Sequence, residues 1–257
     1  GALALRRGHI DLGDLAENEV LVEPLFGCWE ANMSHALDRR PVDVCRVRNE
    51  KSAVLGNAGV VRVLKPGPGV TSLRPGTVCM VFCNGQWDSR GYPIKIYAYD
   101  AAGTVGVLAK ITKLHVRQLI PIPEASRFSL QQWAAFALRY VTAWANWRVA
   151  VACWRSQMRD EDSRQPIVWG WGGGVAFAEL ALAAAEGADV TLISSQTCRL
   201  RLIEHFGMKS IDRRAFDGLR FCPERYGSDA EYRSRYQSAE KCFLEAVQER
   251  TGGEGVS

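Results

Sequence analysis

The residues from 167 to 180, Ile-Val-Trp-Gly-Trp-Gly-Gly-Gly-Val-Ala-Phe-Ala-Glu-Leu, carry the strongest chemical signal in the chain. A short apolar run turns through four glycines in five positions and opens into an alanine-rich stretch. That is the local plan of a strand, a tight turn and a helix. Glycines let the backbone approach a pyrophosphate, and free N–H groups at the helix N-terminus meet its charge. The spacing Gly170-x-Gly172-x-x-Val175 fails at its third position. Gly170-x-x-Gly173-x-x-Ala176 keeps a small residue at all three, so Gly170, Gly173, Gly174, Val175 and Ala176 are the candidate dinucleotide-binding residues. A plain glycine-rich turn would use the same letters.

About 20 residues further on, a site for NADH places an acid to bind the ribose hydroxyls. Here Asp189-Val190-Thr191-Leu192-Ile193 reads as the second strand, and Ser194 and Ser195 follow it, with Arg199 and Arg201 beyond. An acid would repel a 2′-phosphate, whereas hydroxyls and a guanidinium attract one. Ser194, Ser195 and Arg199 therefore point to NADPH. A polar helix cap with solvated arginines is the other reading of these residues.

The elements around the turn support a βαβ unit. The helix is expected to run to about Glu186, Gly187 stands where a C-cap glycine belongs, and Ser210-Ile211-Asp212 reads as a third strand. A helix from about Ala239 to Arg250 follows, and 251–257 looks like the turn into a fourth strand. A doubly wound sheet usually has six strands. The chain is thus expected to be a fragment of weak activity, and Gly1 in place of Met points to a missing start.

The first half reads differently. Residues 19–27 form an expected strand, 54–64 a glycine turn entering another, and Val78 to Cys83 a third, with turns at Pro66-Gly67-Pro68-Gly69 and Arg74-Pro75-Gly76. This is an all-β region compatible with a small, partly open barrel. From Ser129 an interrupted helical pattern runs to about Cys153, and 160–164 is a charged loop. The expected domains are 1–128 and 129–257.

Composition excludes several classes. At 257 residues, 47% hydrophobic and 23% charged, the chain is an ordinary globular protein with room for two modest cores. A net charge of +4 suits anionic small molecules, and no basic cluster with interleaved aromatics argues for nucleic acid. No apolar run reaches transmembrane length and no signal-peptide pattern opens the chain, so no membrane partner is expected. Eight cysteines without a CxxC pair read as reduced thiols in the cytoplasm, with Cys79 and Cys83 as core residues.

Taken in order, these pieces resemble the medium-chain dehydrogenase/reductase superfamily. The resemblance rests on the first strand, the Gly27-Cys28 turn, Gly56-Asn57-Ala58-Gly59-Val60-Val61, the Pro75-Gly76 turn, Thr142-Ala143 and the Gly170/Gly173/Ala176 spacing. Val81-Phe82-Cys83-Asn84 and Ile96-Tyr97-Ala98-Tyr99-Asp100 resemble the crotonyl-CoA reductase and carboxylase/reductase group. The implied fold is α/β: a GroES-like, partly open β-barrel followed by a truncated Rossmann domain. Zinc-dependent relatives carry Gly-His-Glu where this chain has Gly56-Asn57-Ala58, and the four-cysteine lobe is absent, so no zinc is expected.

A zinc-free member of the family implies NADPH-dependent reduction of an enoyl thioester on CoA or a carrier protein, in a homo-oligomer. Carboxylation stays open, as do a quinone or enone reductase and a non-catalytic binding module. The resemblance puts Thr142 on the nicotinamide carboxamide, with a threonine bonding back to its own helix as the other reading. It places Asn32 facing the substrate, with Cys28 and Glu30 sharing its turn. Asp100, with Tyr99, takes the place of an aromatic–glutamate pair that holds CO2. Tyr140 either edges the same pocket as Thr142 or belongs to an aromatic stripe with Trp133, Trp144 and Trp147, and Asn57 reads first as a turn residue tolerating a left-handed backbone and otherwise as a ligand-contacting amide. Arg39, Arg40, Arg46 and Arg48 are either a basic rim for a CoA phosphate or solvated charges.

Overall fold

The computed structural model describes residues 5–159 and 161–257. Gly1 and Asp160, named above, lie outside them. Packing divides the chain into two compact units, 1–141 and 142–257, and the division falls inside the long helix expected to open the second domain.

The first unit is built on a five-stranded antiparallel sheet. Its strands are β1 (Glu19–Gly27), β2 (Gly59–Pro66), β3 (Val78–Val81), β6 (Thr112–His115) and β7 (Leu119–Pro121), in the order β6-β1-β2-β3-β7. Valines alternate on β1 and β2, so Val20, Val22, Val61 and Val63 point into one core with Cys79, Val81, Tyr97 and Leu114. A second cluster (Val60, Met80, Ala134, Ala137) joins the sheet to the first turns of helix α3 (Leu130–Arg155). That helix is continuous, without the interruptions its sequence suggests.

Several elements of this unit were not anticipated: β6 and β7 of the sheet, helix α1 (Ala31–Asp38) after β1, helix α2 (Val44–Arg48) after α1, and the separate hairpin of β4 (Asn84–Trp87) and β5 (Pro93–Ile96). Cys79 and Cys83 are buried, as expected.

The second unit carries a three-stranded parallel sheet of β8 (Ile167–Trp171), β9 (Asp189–Ser194) and β10 (Lys209–Asp212), ordered β10-β9-β8. Helices α4 (Gly174–Ala185) and α5 (Thr197–His205) make its crossovers. Leu180, Ala183, Val190, Leu192 and Ile203 form the core with Trp147. Gly187 has the positive φ of +93° that a C-cap glycine needs. After β10, helices α6 (Pro223–Ser228) and α7 (Ala230–Arg250) complete the unit. α7 starts earlier than its apolar pattern implied, because the Asp229 side chain caps it by accepting from the Tyr232 N–H at 2.9 Å. At 251–257 there is a turn but no strand; the Ser257 N–H donates to the Ile167 carbonyl at the start of β8.

Candidate functional site

In the first unit the polar site grows from the end of β1. The Cys28 N–H donates to the Ala58 carbonyl at 3.0 Å, laying the 28–32 turn beside the segment that enters β2. The crossing is close: a Cβ on Gly59 would stand 2.4 Å from the Phe26 carbonyl oxygen, so only glycine fits. Gly56, at φ +105°, takes the left-handed position. This corrects the reading of Asn57, which has no positive φ. Asn57 is instead buried, 2% exposed, and neither amide atom has a hydrogen-bond partner among the described residues.

Asn32 is in the same condition. It sits in the first turn of α1, and its Oδ1 is buried without a partner. A buried unpaired amide group costs roughly 1–3 kcal/mol. Two of them on adjoining segments mark this place as one where polarity is kept for something other than stability.

Glu30, two residues before Asn32, is a buried carboxylate. Its Oε1 accepts from the Cys28 thiol at 3.3 Å, and its Oε2 lies 3.2 Å from the Arg139 guanidinium of α3. Burial, reinforced by the Glu30 hydrogen bond and charge, pushes the Cys28 thiol up to about 11. It therefore stays protonated near neutral pH and serves as a donor, not as a nucleophile or thiolate ligand. Nothing in the local sequence singles out Arg139; only the fold brings it to Glu30.

Asp100 is placed elsewhere in its duties. Its carboxylate accepts from the Ile96 N–H at 2.5 Å, closing the turn after β5, and Tyr99 packs against the Met33–Leu55 cluster. Arg48 does not belong to a solvent-facing rim. It is 5% exposed and is held by the Thr104 carbonyl and Glu50, both at 2.7 Å. Arg39 pairs with Asp43.

In the second unit the glycine turn has the expected form. Gly170 lies in β8, where a Cβ would come 2.8 Å from Leu180 Cδ1. Gly172 has φ +126°, and Gly173 is the N-cap of α4. No side chain caps this helix, and its first backbone bond runs from the Phe177 N–H to the Gly173 carbonyl. The N–H groups of Gly174, Val175 and Ala176 thus face out of the helix end, a cradle suited to a diphosphate.

Arg199 reaches this turn from α5, its Nη1 donating to the Gly172 carbonyl at 3.4 Å. Ser194 is buried and its hydroxyl accepts from the Gln196 N–H at 3.2 Å, while Ser195 at the strand end is half-buried. Arg201 is exposed. A second guanidinium, Arg214, is paired with Asp212 and lies 3.5 Å from Thr197 Oγ1 at the start of α5. The residues present fit an NADP-type dinucleotide: an open helix end, glycines where side chains would intrude, and guanidinium groups near the strand ends.

Thr142, on α3, is half-buried, and its hydroxyl makes no hydrogen bond among the described residues. The back-bonded arrangement is seen at Thr251, whose hydroxyl donates to the Val247 carbonyl at 2.8 Å, and is not seen at Thr142. Tyr140 stacks on Phe136, with centroids 4.6 Å apart. Of the tryptophans in the stripe, Trp147 is buried and Trp144 exposed. Among the described residues no group of three or more His, Cys, Asp or Glu is placed to hold a metal ion, and no helix is long and apolar enough to cross a membrane.

No protein-family model matches the chain. It is 26% identical over 208 residues to the crotonyl-CoA reductase of Streptomyces collinus, covering 77% of this chain and 42% of that protein. The crotonyl-CoA reductase of Streptomyces avermitilis gives 27% over 208 residues, covering 77% and 43%. The chain therefore spans less than half the length of these relatives. Among solved structures, the 2-octenoyl-CoA carboxylase reductase CinF, in complex with NADP and 2-octenoyl-CoA, superposes with a TM-score of 0.74 at 20% identity, over 98% of this chain and 58% of that one. The crotonyl-CoA carboxylase/reductase AntE in complex with NADP gives 0.70 at 22%, over 95% and 61%. The chain has the fold of these solved structures, the α/β medium-chain dehydrogenase/reductase fold, and its sequence is similar to the two crotonyl-CoA reductases.

Proposed function

We propose that the protein is an NADPH-dependent reductase of 2-enoyl thioesters, with a CoA thioester as substrate. The observation that carries the reading is the uncapped start of α4 with Arg199 bonded to its glycine turn. A dinucleotide phosphate is the ligand chemistry that such a helix end and guanidinium accommodate together. The similarity to crotonyl-CoA reductases supplies the substrate class.

A bound NADPH supplies the hydride for the β-carbon. In the second unit, the N–H groups of Gly174, Val175 and Ala176 receive the diphosphate, Ser195 and Arg199 receive the 2′-phosphate, and the Thr142 hydroxyl holds the carboxamide. In the first unit, Asn32 faces the thioester. Electron density displaced from the C=C bond gathers on the thioester oxygen and must be met by hydrogen-bond donors. A proton is added at the α-carbon. We read a proton there in preference to CO2 because the Asp100 carboxylate is committed to its own turn.

The eight cysteines, all free, fit the reducing cytoplasm. A homo-oligomer belongs to the same reading and is checked by sedimentation. The test of function is the protein with NADPH and crotonyl-CoA, with and without bicarbonate, following nicotinamide absorbance and product mass. Bicarbonate-independent formation of butyryl-CoA is expected. Oxidation of simple alcohols with no turnover of crotonyl-CoA would overturn the proposal.

A further inference from the structure

We propose that Arg139 is the group that stabilises the oxyanion of the substrate, the donor that takes the negative charge as the C=C bond is reduced. This rests on the enoyl thioester reading above and names a residue for the step that reading leaves without a cation.

The first unit's site contains two amides, a protonated thiol, a carboxylate and one guanidinium. Cys28 is turned to Glu30 and holds its proton. The carboxylate of Glu30 is the wrong sign for a developing anion. The Asn32 and Asn57 amides bring dipoles but no charge. Arg139 alone in this cluster brings a full positive charge. Its guanidinium lies 3.2 Å from Glu30 Oε2 through Nη2, and its side chain is 34% exposed, so the remaining N–H groups are open to a ligand.

A guanidinium has five donors, and one carboxylate oxygen uses a small part of that capacity. The Glu30 contact fixes the direction in which the others point. The balance of the step is simple: hydride from NADPH forms the new C–H bond at the β-carbon, the C=C electron pair moves on to the thioester oxygen beside Arg139, and a solvent proton is taken up at the α-carbon, leaving NADP+.

The test uses Arg139→Gln, Arg139→Lys and Glu30→Gln in the full protein, with two readouts. Turnover of crotonyl-CoA with NADPH should fall roughly 100-fold in Arg139→Gln, the scale for losing one oxyanion donor, with the NADPH Kd unchanged. Arg139→Lys should recover part of the loss, and Glu30→Gln should lose less than tenfold. The second readout is binding of acetoacetyl-CoA without cofactor, followed by the ultraviolet absorbance of its enolate. The wild-type protein should raise the enolate fraction at neutral pH, and Arg139→Gln should abolish that rise while still binding the thioester. An undiminished enolate signal in Arg139→Gln, or a loss in Glu30→Gln equal to that in Arg139→Gln, overturns the assignment. Failure of the wild-type protein to bind acetoacetyl-CoA overturns the thioester reading itself, and the role of Arg139 with it.

Discussion

Arg199 lies over the glycine turn of the parallel sheet: its Nη1 is 3.4 Å from the Gly172 carbonyl oxygen and 3.7 Å from where a Gly173 Cβ would stand. One residue from the crossover after β9 is thereby tied to the turn after β8, at the C-terminal ends of the strands, where open α/β sheets bind their ligands. A guanidinium in that position is poised for an anionic group.

Arg199→Ala should weaken NADPH far more than NADH. A charge-assisted hydrogen bond to a phosphate contributes about 1.5–3 kcal/mol, so the preference for NADPH should fall roughly 10- to 100-fold. Dissociation constants for both cofactors, measured by nicotinamide fluorescence, decide this. Equal loss for the two would assign Arg199 to the pyrophosphate and leave the 2′-phosphate to Ser195 or Arg214.

Gly170→Ala should destabilise the second unit. The new Cβ would stand 2.8 Å from Leu180 Cδ1, and Leu180 is 1% exposed, so the leucine cannot swing into solvent. Overpacking of this kind costs about 1–3 kcal/mol. The effect should shrink when Leu180 is also replaced by Ala, although Leu180→Ala alone is itself costly. Denaturant midpoints of the four proteins in this cycle give the coupling, and strict additivity would show that the strand shifts to relieve the contact.

Much of this frame was legible in the residues. The Glu19–Gly27 strand, the turn at Gly170–Gly174 and the strand from Asp189 follow from period-two valines and from glycines with few alternatives. Asn57 was misread because Asn tolerates a left-handed backbone, yet Gly56 beside it takes that conformation more cheaply. The early start of α7 was hidden because 230–238 has no aliphatic residue beyond Ala230; its one local signal was Asp229, placed as an N-cap. The Glu30–Arg139 pair had no local signal. Its partners are far apart in sequence, and only the packing of α3 against the sheet brings them together.

Stability should fall as pH rises above 9. Burial pushes the thiols of Cys79 and Cys83, like that of Cys28, up from 9.0 to about 11. Between those values the unfolded chain has released its thiol protons and the folded one has kept them. The unfolded state then binds fewer protons, so stability decreases with pH. The contribution is fully present below pH 9 and lost through about 11. Urea unfolding at pH 8, 9, 10 and 11 should show this decline, and Cys79→Ala with Cys83→Ala should flatten it. An unchanged slope in that double variant would assign the decline to other groups.

Thr142→Val should lower catalysis and spare the fold. Valine keeps the branched shape of threonine on α3, and the Thr142 hydroxyl has no hydrogen bond among the described residues to lose. Removing it therefore leaves no partner unsatisfied in the free protein, and the thermal midpoint should move little. A hydrogen bond from this hydroxyl to the carboxamide is worth about 1 kcal/mol, roughly a fivefold change. Misplacement of the ring would add to that, because reacting atoms must be held within a narrow range of approach. The expected pattern is a loss of at least fivefold in kcat with a small change in the NADPH Kd, measured by steady-state kinetics and fluorescence titration. A drop in thermal midpoint that accounts for the lost activity would show that Thr142 serves the packing of α3 instead of the cofactor.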